Sequence, residues 1–179
     1  YFGCFIDSSH NINGVQVADI NRDGFADIVR ASADNAGSGS APYSKIWLNN
    51  GTGWVVNATW QNPGCTSSAN YKTCFVTSSN KDNGVRLVDV NGDGLLDLMR
   101  ASAGSNAWSY PYTAIYLNNG SGWSSSSGWS LPDCYNSANF ESCLVKSNYN
   151  DNGVRIIDVN GDGLPDVVRA SPNDEGWSY

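Results

Sequence analysis

Residues 83–102 read "NGVRLVDVNGDGLLDLMRAS". Val85 and Leu87 stand either side of Arg86, the alternation of a strand with one face covered. The pattern breaks at Asp89. Over the nine positions "DVNGDGLLD" (89–97) the chain carries three carboxylates, one amide and two glycines. An apolar run resumes at Leu98 and Met99. Strand, acidic turn, strand is the reading. Helix signals are nearly absent along the chain, which is rich in Gly, Ser and Asn and holds a single Met.

The same string occurs twice more, as "DINRDGFAD" (19–27) and "DVNGDGLPD" (158–166), and Asp19 to Asp89 is 70 residues while Asp89 to Asp158 is 69. Each is led in by "NGVQVADI", "NGVRLVDV" or "NGVRIIDV" and followed by "IVRAS", "LMRAS" or "VVRAS". "KIWLNNGTGW" is answered by "AIYLNNGSGW", and the run Trp60, Pro63, Cys65 by Trp129, Pro132, Cys134. Such self-similarity marks a repeat architecture. The units are 1–70, 71–139 and 140–179, the last supplying only a first half. Each full unit reads as four short strands, the content of one propeller blade. The expected fold is all-β: tandem four-stranded propeller-like blades, about two and a half of them, forming an open segment of a larger propeller or array. In the third unit strands are expected around Val154 to Ile157 and Val167 to Ala170.

A formal net charge of −7 argues against a nucleic-acid partner, since phosphate neutralisation needs clustered Lys and Arg. No apolar run approaches the roughly 20 residues needed to span a bilayer as a helix, so no membrane insertion is expected. Nine of the 17 acids lie in the three strings, so the acidity reads as stored ligand charge that three divalent cations would largely cancel.

The spacing Asp-x-Asn-x-Asp-Gly-x-x-Asp has a physical logic. Positions 1, 3 and 5 turn oxygens inward, Gly allows the tight turn, position 7 offers a carbonyl and position 9 closes the set. An all-oxygen set of this size suits Ca²⁺ rather than a soft metal or Mg²⁺. An EF-hand would need Glu at position 12 and flanking helices; here Arg30, Arg100 and Arg169 occupy that position and the flanks are β. A bare Asx-rich turn is the plain alternative, and three strings in register argue against it.

With "NGV" before and an apolar strand after, these strings resemble the FG-GAP/VCBS repeats of integrin-type β-propellers. That resemblance implies Ca²⁺ in the loop between the first two strands of each blade. Carried over by position, the ligands are Asp19, Asn21, Asp23, Phe25 through its carbonyl, and Asp27. In the second unit they are Asp89, Asn91, Asp93, Leu95 and Asp97; in the third, Asp158, Asn160, Asp162, Leu164 and Asp166.

Cys65 and Cys74 are nine apart, as are Cys134 and Cys143. With no C-x-x-C and one histidine, two local disulfides in an oxidising compartment fit better than zinc. Cys4 matches Cys74 and Cys143, and its partner is expected upstream of residue 1. Asn50, Asn57 and Asn119 open N-x-S/T sequons, with Asn50 and Asn119 in equivalent turns. Trp54, Trp60, Trp123 and Trp129 recur at fixed places and are expected to pack between blades. Trp108, Trp177, Tyr110 and Tyr179 are better candidates for surface contact. His10 aligns with Asn80 and Tyr149 and has no second histidine to work with, so no catalytic triad can be assembled and no enzyme is expected. Arg30, Arg100 and Arg169 are expected to pair with carboxylate or backbone oxygens.

The expected function is an extracellular, secreted or cell-surface glycoprotein: a calcium-stabilised repeat with a structural or adhesive role, built into a larger assembly or filament. Its partners would be copies of itself or further repeats of the same chain. A carbohydrate- or protein-binding lectin-like propeller is the alternative, with glycans as partners.

Overall fold

In the computed structural model the described residues are 4–33, 42–67, 70–103, 112–134 and 141–171. Among them no helix occurs, and every named strand pairing is antiparallel. The first sheet is a meander of β1 (Val15–Ala18), β2 (Asp27–Ser32), β3 (Tyr43–Asn49) and β4 (Trp54–Asn57), paired in chain order. A short hairpin follows, β5 (Cys65–Ser67) with β6 (Asn70–Tyr71). The second sheet repeats the first: β7 (Val85–Val88), β8 (Asp97–Ser102), β9 (Tyr112–Asn118) and β10 (Trp123–Ser126). The third unit supplies β11 (Val154–Ile157) paired with β12 (Asp166–Arg169).

The register repeats as the sequence does. Val15 faces Arg30, Val85 faces Arg100 and Val154 faces Arg169. The central strand β8 is buried along its whole length, whereas β12, with no third strand beside it among the described residues, is mostly exposed. The expected blades are therefore present as two four-stranded sheets and one two-stranded piece, which close no ring among the described residues. The β5–β6 hairpin was not foreseen; it lies inside the loop that Cys65–Cys74 closes.

Consecutive units are sewn together by backbone. Phe75 N–H donates to Ala31 O at 2.8 Å and Ala33 N–H to Val76 O at 3.1 Å, a parallel bridge between β2 and the lead-in of the next unit. Leu144 to Ala101 and Ala103 to Val145, both 3.0 Å, repeat it one unit on. These bonds need close approach: a Cβ on Gly14 would stand 2.5 Å from Ala31 O, and one on Gly84 2.6 Å from Ala101 O. Both glycines also hold positive φ, where a side chain is strained. The apolar core follows the seams, one cluster around Ile20, Val29, Ile46, Trp60 and Leu98, the next around Val90, Met99, Ile115, Leu131 and Leu144.

Both expected disulfides are formed, Cys65–Cys74 and Cys134–Cys143, each with Cα atoms 5.0 Å apart. Cys4 is exposed and forms no disulfide among the described residues. The packing expectation for tryptophan holds for two residues and fails for two. Trp60 and Trp123 are buried between the first two units, while Trp54 and Trp129 are 54% and 44% exposed. Trp108, Tyr110, Trp177 and Tyr179 lie outside the described residues.

Candidate functional site

The acidic loops join β1 to β2, β7 to β8 and β11 to β12, so each sits at the same end of its unit. Their conformation is fixed by their own side chains. The first carboxylate accepts from the sixth residue's N–H: Gly24 to Asp19 Oδ2 at 2.8 Å, Gly94 to Asp89 at 2.7 Å, Gly163 to Asp158 at 2.8 Å. The position-3 amide accepts from position 5: Asp23 N–H to Asn21 Oδ1 at 3.1 Å, Asp93 to Asn91 at 3.0 Å, Asp162 to Asn160 at 2.8 Å. The position-5 carboxylate accepts from position 7: Phe25 N–H to Asp23 Oδ1 at 2.9 Å, with Leu95 to Asp93 and Leu164 to Asp162 both 2.8 Å. Local side-chain oxygens thus stand in for the strand ladder while the chain reverses.

The ninth residue is different in kind. Asp27 and Asp97 are fully buried, and each closes the loop on its own second residue and ties it to the end of the third strand. Asp27 accepts from Ile20 N–H at 3.1 Å and Asn49 N–H at 2.8 Å, and Asp97 from Val90 N–H at 3.0 Å and Asn118 N–H at 2.7 Å. Asp166 accepts from Val159 N–H at 3.1 Å and is half-buried.

Burial pushes the Asp27 carboxyl above the ordinary range, and the neighbouring Asp23 and Asp19 push it further in the same direction, against the pull of the two N–H donors. Asp97 is raised in the same way, by burial first and then by Asp93 and Asp89. The carboxylates of one loop therefore feel each other. Asp158 moves the opposite way, held down by the N–H groups of Gly163 and Gly161.

Among the described residues no group of three or more His, Cys, Asp or Glu side chains is arranged to hold a metal ion. The hydrogen bonds give the physical reason. Positions 1, 3 and 5 turn their oxygens onto loop N–H groups, and in the first two loops position 9 spends one oxygen on the N–H of position 2 and the other on the end of the third strand. The donor chemistry nevertheless fits a hard cation: three carboxylates, one amide and a carbonyl within nine residues, mutually repelling without a positive charge.

Two supports were missed by the sequence reading. Asn13, Asn83 and Asn152, from the "NGV" strings, each hold the following "RAS" arginine. Arg30 Nη2 donates to Asn13 Oδ1 at 2.6 Å, Arg100 to Asn83 at 3.0 Å and Arg169 to Asn152 at 3.5 Å, and each Nε donates to the same asparagine's backbone carbonyl. These partners are amide and backbone oxygens. Each asparagine's Nδ2 in turn donates to the carbonyl of Cys4, Cys74 or Cys143. Recurrence of this asparagine was the available signal. The second support crosses between loops: Arg22 Nη1 donates to the Asp93 carbonyl at 2.7 Å, and Asn118 Nδ2 to the Ile20 carbonyl at 2.7 Å.

His10 stands in a turn that does repeat, although its side chain does not. His10, Asn80 and Tyr149 hold φ of 66°, 56° and 65°. Asn50, Asn57 and Asn119 all lie in or beside turns, the first and third exposed and Asn57 half-buried.

Neither a curated protein nor a solved structure matches the chain. Residues 89–169, from the second acidic loop through the end of β12, match the family model of the FG-GAP-like repeat.

Proposed function

We propose that the chain is an extracellular, calcium-stabilised repeat module with a structural or adhesive role, working inside a larger assembly. The observation that carries the reading is the threefold recurrence of one acidic loop, with the same internal hydrogen bonds, at the same strand-to-strand turn. The positions that would hold Ca²⁺ are 1, 3, 5, 7 and 9 of each loop. When bound, the ion supplies positive charge that cancels carboxylate repulsion and locks the turn. The rest is done by the chain itself: Asp27 and Asp97 tie each loop to the end of the third strand, and the Asn–Arg clamps hold the strands behind it.

Two disulfides among the described residues support an oxidising, extracellular setting. The FG-GAP-like match supports a propeller-type module. Assembly is supported by apolar surface on the first and third units. Trp54, Val55 and Val56 are exposed on β4, and Ile157, Val167 and Val168 on β11 and β12. Exposed edges and faces of this kind invite pairing. The partners proposed are copies of the chain or further repeats of it.

Dialysis against Ca²⁺ followed by elemental analysis tests the metal reading; about three ions per chain are expected, one per loop. Light scattering after size exclusion in Ca²⁺ tests assembly. A metal-free, monodisperse monomer would defeat both parts.

A further inference from the structure

Two of the three sequons stand in a setting that the third lacks. In "LNNGTGW" and "LNNGSGW" the two adjacent asparagines have opposite roles. The first is structural: Asn49 Nδ2 donates to Ala26 O at 3.2 Å, and Asn118 Nδ2 to Leu96 O at 3.0 Å and Ile20 O at 2.7 Å. The second, Asn50 or Asn119, is exposed at the tip of the β3–β4 or β9–β10 hairpin. Its Oδ1 is fully engaged. Asn50 Oδ1 accepts from Thr52 N–H at 3.0 Å, Thr52 Oγ1 at 2.8 Å and Gly53 N–H at 3.0 Å. Asn119 Oδ1 accepts from Ser121 N–H and Ser121 Oγ, both 3.0 Å. Its Nδ2 makes no hydrogen bond among the described residues and faces solvent.

Asn57 shares the sequon but not the setting. Its Oδ1 is engaged in the same way, by Thr59 N–H and Thr59 Oγ1, both 3.0 Å, and Trp60 N–H at 2.8 Å, but it is half-buried at the last residue of β4, paired across to Ile46 and three residues from the buried Trp60. A bulky group there would crowd the turn that seats Trp60. At Asn50 and Asn119 it would displace nothing.

We infer that Asn50 and Asn119 are N-glycan attachment sites, one per unit, and that Asn57 stays bare. The inference rests on the extracellular reading above, since the donor is met only on a secretory route. In the transfer the Asn Nδ2 forms a bond to C1 of the sugar as the C1–O bond to a lipid-linked pyrophosphate breaks. The pyrophosphate leaves with the electron pair, and the Nδ2 proton is released to balance it.

The test is secretion of the whole chain from a eukaryotic cell line behind a signal sequence, followed by peptide mapping after enzymatic glycan release in heavy-oxygen water. Label at Asn50 and Asn119, loss of one glycan in each of Thr52→Ala and Ser121→Ala, and no loss in Thr59→Ala are expected. Bare Asn50 and Asn119, or full occupancy at Asn57, overturns the inference. Thiol labelling of the same peptides separates the two readings. Formed disulfides with bare asparagines defeat the glycan sites alone, whereas reduced cysteines with glycosylated asparagines would defeat the extracellular reading alone.

Discussion

Trp60 of the first unit and Trp123 of the second meet with ring centroids 5.1 Å apart and planes tilted by 56°. Their repeat equivalents, Trp129 and Trp54, have no such partner among the described residues and remain 44% and 54% exposed. The same two repeat positions are thus core where the first and second units meet and exposed at Trp54 and Trp129. Trp60→Ala should cost about 3–5 kcal/mol in chemical denaturation, and Trp54→Ala no more than about 1 kcal/mol, the worth of its single hydrogen bond from Nε1 to Ala26 O. Equal costs would contradict the seam.

The two tilted rings differ in their N–H groups. Trp123 Nε1 donates to Leu96 O at 3.0 Å, while Trp60 Nε1 is buried without a hydrogen-bond partner among the described residues. Trp123→Phe should therefore lose about 1 kcal/mol beyond the change in ring size. Trp60→Phe removes an unsatisfied donor and should be nearly neutral. Melting temperatures of the two variants, compared directly, check the order.

Arg30 is 1% exposed, its head held by Asn13 and stacked on the Tyr43 ring 4.6 Å from its centroid. Burial pulls its pKa down without releasing the proton. Asn13→Ala removes both side-chain bonds, to Arg30 and to Cys4 O, and should cost about 2–3 kcal/mol because one of them serves a buried charge. Asn152→Ala should cost less, since its arginine is exposed and bonded at 3.5 Å. Denaturant midpoints of the two variants read the difference.

The strands of each unit were legible because alternation, turn residues and repetition agreed. Val154–Ile157 is the strand the sequence indicated, and β12 differs by one residue at each end. Trp54 and Trp129 were misjudged for a tertiary reason: a repeat position specifies a ring contact only where a partner ring meets it, as Trp60 meets Trp123. The Asn13–Arg30 clamp went unread because "NGV" looked like a turn, and nothing local says that Asn13 reaches 17 residues along the chain. The acidic loops were legible as a donor set. Their internal hydrogen bonding was not, since it depends on which oxygen faces which N–H.

Asp151 offers a pH test away from the acidic loops. Arg155 donates to it at 2.8 and 3.0 Å and Gly153 N–H at 2.7 Å, which holds its carboxyl below its ordinary 3.8. A depressed folded pKa means stability that is present above the unfolded value and lost as pH falls through the folded one. Asp151→Asn should thus melt below wild type at neutral pH and converge with it well below pH 3.8. The pair is largely solvent-exposed, so the neutral-pH gap should stay under about 1 kcal/mol. A gap that widens on acidification would reverse the sign and reject the pairing.

Calcium dependence of the melt, read for wild type and Asp93→Asn side by side, tests the central claim most directly. The loop carboxylates repel one another without a cation, and binding to the folded state stabilises by mass action. The account predicts a wild-type melting temperature that rises with Ca²⁺ and falls in chelator. Asp93→Asn, which removes one loop charge, should melt no lower than wild type in chelator but clearly lower in Ca²⁺. Superimposable melts of wild type in Ca²⁺ and in chelator would contradict it.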